Sequence, residues 1–140
     1  MVWHYFLESI LAMNPVVHFE IPYKVAIRAK EFYRNVFGWQ LESLGPEMGD
    51  YILATTAMED ARPGYPKGAI NGGLYPFKPD WPDQYPSIVI GVDNIHQTMK
   101  KIQEFEGKVL GEPMEIPGTG LYVAFRDPEG NRVSILQPLM

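Results

Sequence analysis

At 140 residues, with 46% hydrophobic and 21% charged side chains, the chain has the size and balance of one globular domain. A formal net charge of −5, with no basic run interleaved with aromatics, argues against a nucleic-acid partner, whose phosphates recruit Lys and Arg. The sequence has no cysteine, which excludes disulfides, thiolate metal sites and cysteine nucleophiles and fits a reducing, cytoplasmic compartment.

The chain opens on MVWHYFLESILAM, where Trp3, Phe6 or Leu7, Ile10 and Met13 recur at helical spacing. Glu8 interrupts it, and it falls short of the roughly 20 apolar residues a membrane span needs. No Lys or Arg precedes it and no small-residue cleavage site follows, so it does not read as a signal peptide. Residues 1–13 are expected to form a short amphipathic helix docked on the domain or on a partner subunit; the alternative is a functional start at Met13. No membrane partner is expected.

From Val16 the β-rich run VVHFEI reads as a strand. A helix follows, with Ala26, Ala29, Tyr33 and Val36 or Phe37 as its apolar stripe and Gly38 placed as a left-handed cap. Three strand-like runs come next: WQLESL, YILATT and AINGGLYPF. The Pro- and Gly-rich insert MEDARPGYPKG, Met58 to Gly68, breaks regular structure between the last two. The bridge KPDWPDQYP then leads into a second series. Its strand is SIVIGV, and Asn94 with Gln97 resembles a capping box. Ile95, Met99, Ile102 and Phe105 or Glu106 make the helical stripe, with Gly107 again placed as a left-handed cap. KVLGEPMEI, LYVAFR and NRVSILQP are the last strands, the final two joined by the tight turn DPEGN.

The two series are one pattern repeated. Val17–Leu41 aligns with Pro86–Leu110 without a gap, His18 falling on Ser87 and Gly38 on Gly107. The expected fold class is α+β: two tandem βαβββ modules, residues 16–78 and 85–138, forming a curved mixed sheet around a cup within a single domain over residues 14–140. Alternation along the strands assigns the faces. Phe19 and Ile21 pack on the first helix, leaving His18 and Glu20 on the opposite face. Ile88, Ile90 and Val92 pack on the second helix, with Ser87, Val89 and Gly91 opposite. In the last strand Val133 and Ile135 pack, and Ser134 and Leu136 face the cup.

With AKEFYRNVFGWQLE, GAINGGLY, GVDNI and FRDPEGNRVSILQP in place, the sequence resembles the vicinal oxygen chelate superfamily, which includes glyoxalase I, extradiol dioxygenases and fosfomycin and bleomycin resistance proteins. The double glycine of INGGL looks most like its glyoxalase-related branch. That resemblance implies a divalent metal held by the first and last strands of each half, acting as a Lewis acid on adjacent substrate oxygens. Carried over, the four positions are His18, Asn71 or Gly72, Ser87 and Ser134. Only His18 is a good ligand, whereas a catalytic cation wants about three. The usual metal centre is therefore expected to be absent, with His18 the weak metal candidate and no other cofactor expected.

His18, Asn71, Ser87 and Ser134 are the candidate ligand-binding residues. His18 and Glu20, two apart on one strand, are the candidate catalytic pair, as acid and base or as two metal ligands; the competing reading has His18 hydrogen-bonded to a polar neighbour and Glu20 at the rim. Trp39, Tyr51, Tyr75, Phe77 and Trp81 either line the cup or pack as ordinary core and interface. No nucleophile elbow surrounds any serine, and no phosphate loop surrounds the INGGL glycines. The expected function is binding of a small organic molecule in the cup without the metal; the alternative is a metal-dependent lyase, isomerase or dioxygenase using His18 and Glu20. The resemblance also implies a homodimer.

Overall fold

A computed structural model describes residues 13–58 and 69–139. The expectations for the leader up to residue 12 and for the insert from 59 to 68 lie outside the described residues. Among the described residues, eight strands and two α-helices run in the order βαβββ twice, with parallel and antiparallel pairings. Among the described residues no helix is long and apolar enough to cross a membrane. The described residues divide into two compact units, one within 17–89 and the other made of 13–16 and 90–139.

In the first unit β1 (Val16–Tyr23) leads into α1 (Ala26–Phe37), then β2 (Gln40–Ser43), β3 (Ile52–Thr55) and β4 (Gly72–Pro76). The strands lie in the order β2-β3-β4-β1. β2 and β3 pair antiparallel, as do β3 and β4, and β1 closes the set parallel to β4, with Phe19 opposite Gly72. A parallel pair needs a crossover, and α1 with the two intervening strands provides it. Leu41, Ile52, Ala54 and Leu74 form the core, packed by Phe19 and Ile21, the pair that alternation assigns to the helix face, and by Ala26, Ala29 and Tyr33 of the helical stripe. Ile52 and Leu74 are 1% exposed, and burying each contributes about 1.5–3 kcal/mol. The stripe of α1 stops at Tyr33: Val36 and Phe37 are exposed. Gly38 caps the helix at φ 72°, its amide donating to the Arg34 carbonyl.

In the second unit β5 (Ser87–Gly91, begun in the first unit) leads into α2 (Ile95–Glu104), β6 (Lys108–Ile116), β7 (Gly120–Arg126) and β8 (Arg132–Pro138). The order β5-β8-β7-β6 repeats that of the first series, first strand beside last. Val92, Ile95, Val123 and Ile135 form the core, with Ile90, Met99 and Ile102 against them. Ile88 does not join this core; it is 39% exposed. Asn94 caps α2 as expected, its side chain accepting from the Gln97 amide at 3.1 Å.

The other end of α2 departs from expectation. The left-handed residue is Glu106 (φ 71°), one position before Gly107. Gly107 is needed for space instead, because a Cβ there would stand 2.6 Å from Ile102 Cγ2. The DPEGN turn closes on Asp127, whose carboxylate accepts from the amides of Glu129 and Asn131, both at 2.9 Å, and from Asn131 Nδ2. These donors hold the Asp127 carboxyl below its ordinary pKa. The bridge after β4 is gathered by the buried Gln84, whose amide accepts from Lys78 N–H and donates to the carbonyls of Lys78 and Trp81.

Candidate functional site

Strand alternation in β1 sends Phe19 and Ile21 toward α1 and turns His18 and Glu20 to the other face. Tyr51 meets them there. It sits just before β3, where the turn Pro46–Met48 brings the chain back: its amide donates to the Met48 carbonyl, and its carbonyl accepts from Leu44. Its hydroxyl lies 2.9 Å from His18 Nε2 and donates to Glu20 Oε2, also at 2.9 Å.

This chain of hydrogen bonds fixes a tautomer. A phenol has one proton, and Tyr51 gives it to Glu20. The His18 contact must then be an Nε2–H donating to Tyr51 Oη, so that in the neutral ring Nδ1 is the acceptor nitrogen. Burial lowers the His18 pKa below its ordinary 6.5, partly offset by the negative charge of Glu20. The Nε2–H that the hydrogen bonds require is carried by the neutral ring, the form that burial favours at pH 7.

The two glycines of β4 serve opposite faces. A Cβ on Gly72 would run into the carbonyl and ring of Phe19, on the helix side. A Cβ on Gly73 would overlap the ring of Tyr51, on the side of His18 and Glu20. Gly73 is therefore the fourth-strand position that shares the candidate site's face. Register agrees: Gly73 pairs with Leu53, one residue after the core residue Ile52, just as Ser134 pairs with Ala124, one after the core residue Val123. The same correspondence sets Tyr51 against Tyr122. Tyr122 behaves alike in its own unit, its hydroxyl 2.6 Å from Ser134 Oγ, and Ser134 is buried.

Of the other predicted residues, Asn71 lies just outside β4, its Oδ1 accepting from the amides of Thr56 (2.7 Å) and Ala57 (3.1 Å). Ser87 and Glu20 both line an open cavity of about 470 Å³ in the first unit. Its apolar walls are Phe19, Ile21, Trp39, Ile70, Pro86 and Ile88, and Thr56 adds a hydroxyl that donates to the Ile70 carbonyl. The structure thus brings His18, Glu20 and Tyr51 into one network and Glu20 and Ser87 into one cavity; Ser134 belongs to the other unit. Among the described residues no three His, Cys, Asp or Glu side chains form a group able to hold a metal ion.

Sequence reasoning counted Tyr51 among several aromatics and passed over Tyr122. The signal was in the repeat: each half carries a tyrosine at the start of its third strand, in YILATT and in LYVAFR.

The description Glyoxalase/Bleomycin resistance protein/Dioxygenase superfamily matches residues 16–135, both βαβββ series nearly complete. The chain belongs to this superfamily. Among curated relatives, "Putative glyoxylase CFP32" of Mycobacterium bovis and of Mycobacterium tuberculosis are each 30% identical over 69 residues. That match takes in 49% of this chain and 26% of each relative, so it spans about a quarter of their length. Among solved structures, methylmalonyl-CoA epimerase from Mycobacterium tuberculosis superposes with a TM-score of 0.63 at 16% identity, covering 89% of this chain and 88% of that one. A Streptomyces coelicolor methylmalonyl-CoA epimerase variant in complex with 2-nitronate-propionyl-CoA gives 0.65 at 18% identity, covering 91% and 99%. A hypothetical protein from Bacillus halodurans C-125 gives 0.64 at 17%, covering 91% and 96%. At these identities the likeness establishes the fold.

Proposed function

We propose that this superfamily member binds a small organic molecule in the cavity beside Glu20 and Ser87, with the His18–Tyr51–Glu20 network standing where relatives place a metal. The observation that carries this reading is the position of the Tyr51 hydroxyl, hydrogen-bonded to both His18 Nε2 and Glu20. A cation in that place would have to displace the phenol and strip the Nε2 proton. The other residues carried over in this unit offer little return: Asn71 is engaged with two backbone amides, and the hydroxyl of Ser87 is a weak ligand at neutral pH. The donor set therefore does not suit the superfamily's cation, and no step is routed through one. What the residues can do unaided is accept a proton or hydrogen bond at His18 Nδ1 and pass charge along a short phenol-bridged path to Glu20.

The competing reading is a metal-dependent lyase, isomerase or dioxygenase. It draws on the fact that His18 and Glu20 converge on one oxygen, a geometry a cation could adopt once Tyr51 swung away. One experiment separates the two. Protein purified without chelator or affinity tag is expected to contain well under one equivalent of Zn, Ni, Fe or Mn, with a melting temperature unmoved by EDTA or by added metal. One equivalent of metal, lost on His18→Ala substitution, would replace the first reading with the second. The reading includes a homodimer in a reducing cytoplasm, which light scattering of the purified chain tests on the first count.

A further inference from the structure

The cavity of the first unit belongs to one side of β1. Phe19 and Ile21, which wall it, are the β1 residues that pack with α1. Trp39 closes the same side: its ring stacks on Tyr33 of α1, centroids 4.7 Å apart, and lies 5.5 Å from the Phe19 ring. Neither His18 nor Tyr51 is among the described residues that line it. Glu20 enters the wall between Phe19 and Ile21, and its Oε2 accepts from Tyr51, on the other side of the strand. The binding space and the hydrogen-bond network therefore stand back to back on one strand.

The wall offers little to a charge of either sign. Ile70, Pro86 and Ile88 join Phe19, Ile21 and Trp39 to make it mostly apolar. Among the described lining residues there is no Lys, Arg or His to pair with an anion. Thr56 has committed its hydroxyl proton to the Ile70 carbonyl. That leaves as side-chain donors at most the Ser87 hydroxyl and the Trp39 indole N–H. A charged ligand would exchange water for surfaces that do not pair with it, which costs free energy. An apolar one would bury its own surface against theirs. The volume, about 470 Å³, falls in the range of small-molecule sites.

We infer that the cavity takes an uncharged, largely apolar molecule and holds it on the α1 side of β1, out of contact with His18 and Tyr51. This rests on the small-molecule reading above and adds to it the class of ligand and the face that meets it. The ligand lies against Trp39, Phe19 and Ile21, with Ile88 at the rim. Cations and anions of the same shape are both disfavoured, since neither finds a partner in the wall.

Three indoles of similar shape and different charge test this on the full chain: neutral 3-ethylindole, tryptamine and indole-3-acetate. Each is titrated by NMR at pH 7, with shifts read at the Ile21, Trp39 and Ile88 amides and at the His18 ring nitrogens. 3-Ethylindole is expected to bind about tenfold tighter than either ion. It should move the Ile21, Trp39 and Ile88 signals while the His18 ring stays unshifted. Ile88→Lys places a cation at an exposed rim position (39% exposed), outside the buried core, and should raise indole-3-acetate affinity about tenfold. Either ion binding as tightly as 3-ethylindole, His18 ring shifts that track those of Trp39, or no gain for indole-3-acetate in Ile88→Lys overturns the inference and leaves the small-molecule reading standing. Silence at Ile21, Trp39 and Ile88 toward all three indoles would remove both.

Discussion

The phenol of Tyr51 occupies the space a side chain on Gly73 would need: a Cβ built at position 73 would overlap the ring at Cε2, Cζ and Oη. Gly73 has no special backbone dihedral to explain it; the missing side chain is what matters. It lets the ring lie across β4 and carry its hydroxyl to His18 and Glu20. Gly73→Ala is accordingly expected to act on the hydrogen-bond network. The ring can swing about its own side-chain bonds, so the backbone need not move, and the cost is the loss of two hydrogen bonds, about 1–2 kcal/mol. Chemical denaturation of Gly73→Ala, Tyr51→Phe and the double variant checks this. The two single effects should be strongly non-additive, since each removes the same contacts. Additive effects would detach Gly73 from the network.

Tyr51→Phe keeps the ring and deletes the bridge. Without Oη, His18 Nε2 loses its acceptor, and the reason for the Nε2–H tautomer goes with it. Long-range ¹H–¹⁵N spectra of the imidazole should show a pure Nε2–H pattern in the parent protein and a mixture in the variant. Stability should fall by about 1–2 kcal/mol. A parent spectrum already showing mixed tautomers would mean that Tyr51 does not set the ring.

The fold was legible because the same physical pattern is written twice. Strand alternation placed Phe19 and Ile21 against α1 and His18 and Glu20 opposite, and the contacts obey that division. Ile88 escaped the rule because it lies near the start of β5, before Ile90 and Val92 reach the α2 core. The candidate site was half legible. His18 and Glu20 could be paired from spacing alone, but their connection through Tyr51 depends on how a turn at Pro46–Met48 returns the chain to β3. No periodicity encodes that return. Gly72 and Gly73 could not be told apart by composition either; only the register against β3 shows which one faces the network.

The end of α2 offers a test of backbone strain free of the site. Glu106 holds φ 71°, a region that costs a side-chain-bearing residue, and Gly107 is present for space. Glu106→Gly should stabilise the protein by about 0.5–1 kcal/mol after the added freedom of the unfolded chain is subtracted. Gly107→Ala should destabilise by about 1–3 kcal/mol, its Cβ pressed on Ile102 and close to the Arg126 carbonyl. Midpoints of urea unfolding distinguish the two, and a stabilised Gly107→Ala would mean that the glycine is not needed for space.

The lowered pKa of His18 makes stability depend on pH in a window that can be named. Burial disfavours the imidazolium in the folded protein, and Glu20 only partly restores it, so the folded pKa lies below the unfolded 6.5. Between those values the unfolded chain binds a proton that the folded one does not. The contribution is therefore fully present above pH 6.5 and is lost as pH falls through the folded pKa. Its slope cannot exceed one proton, about 1.4 kcal/mol per pH unit. Asp127 adds its own loss below its ordinary 3.8, separated from the His18 window. His18→Gln can still offer an N–H toward Tyr51 but cannot titrate. Unfolding free energies measured from pH 5 to 8 should fall on the acid side in the parent and lose that component in the variant. An identical slope in both would mean that another group carries the dependence and that protonating His18 costs the folded state nothing.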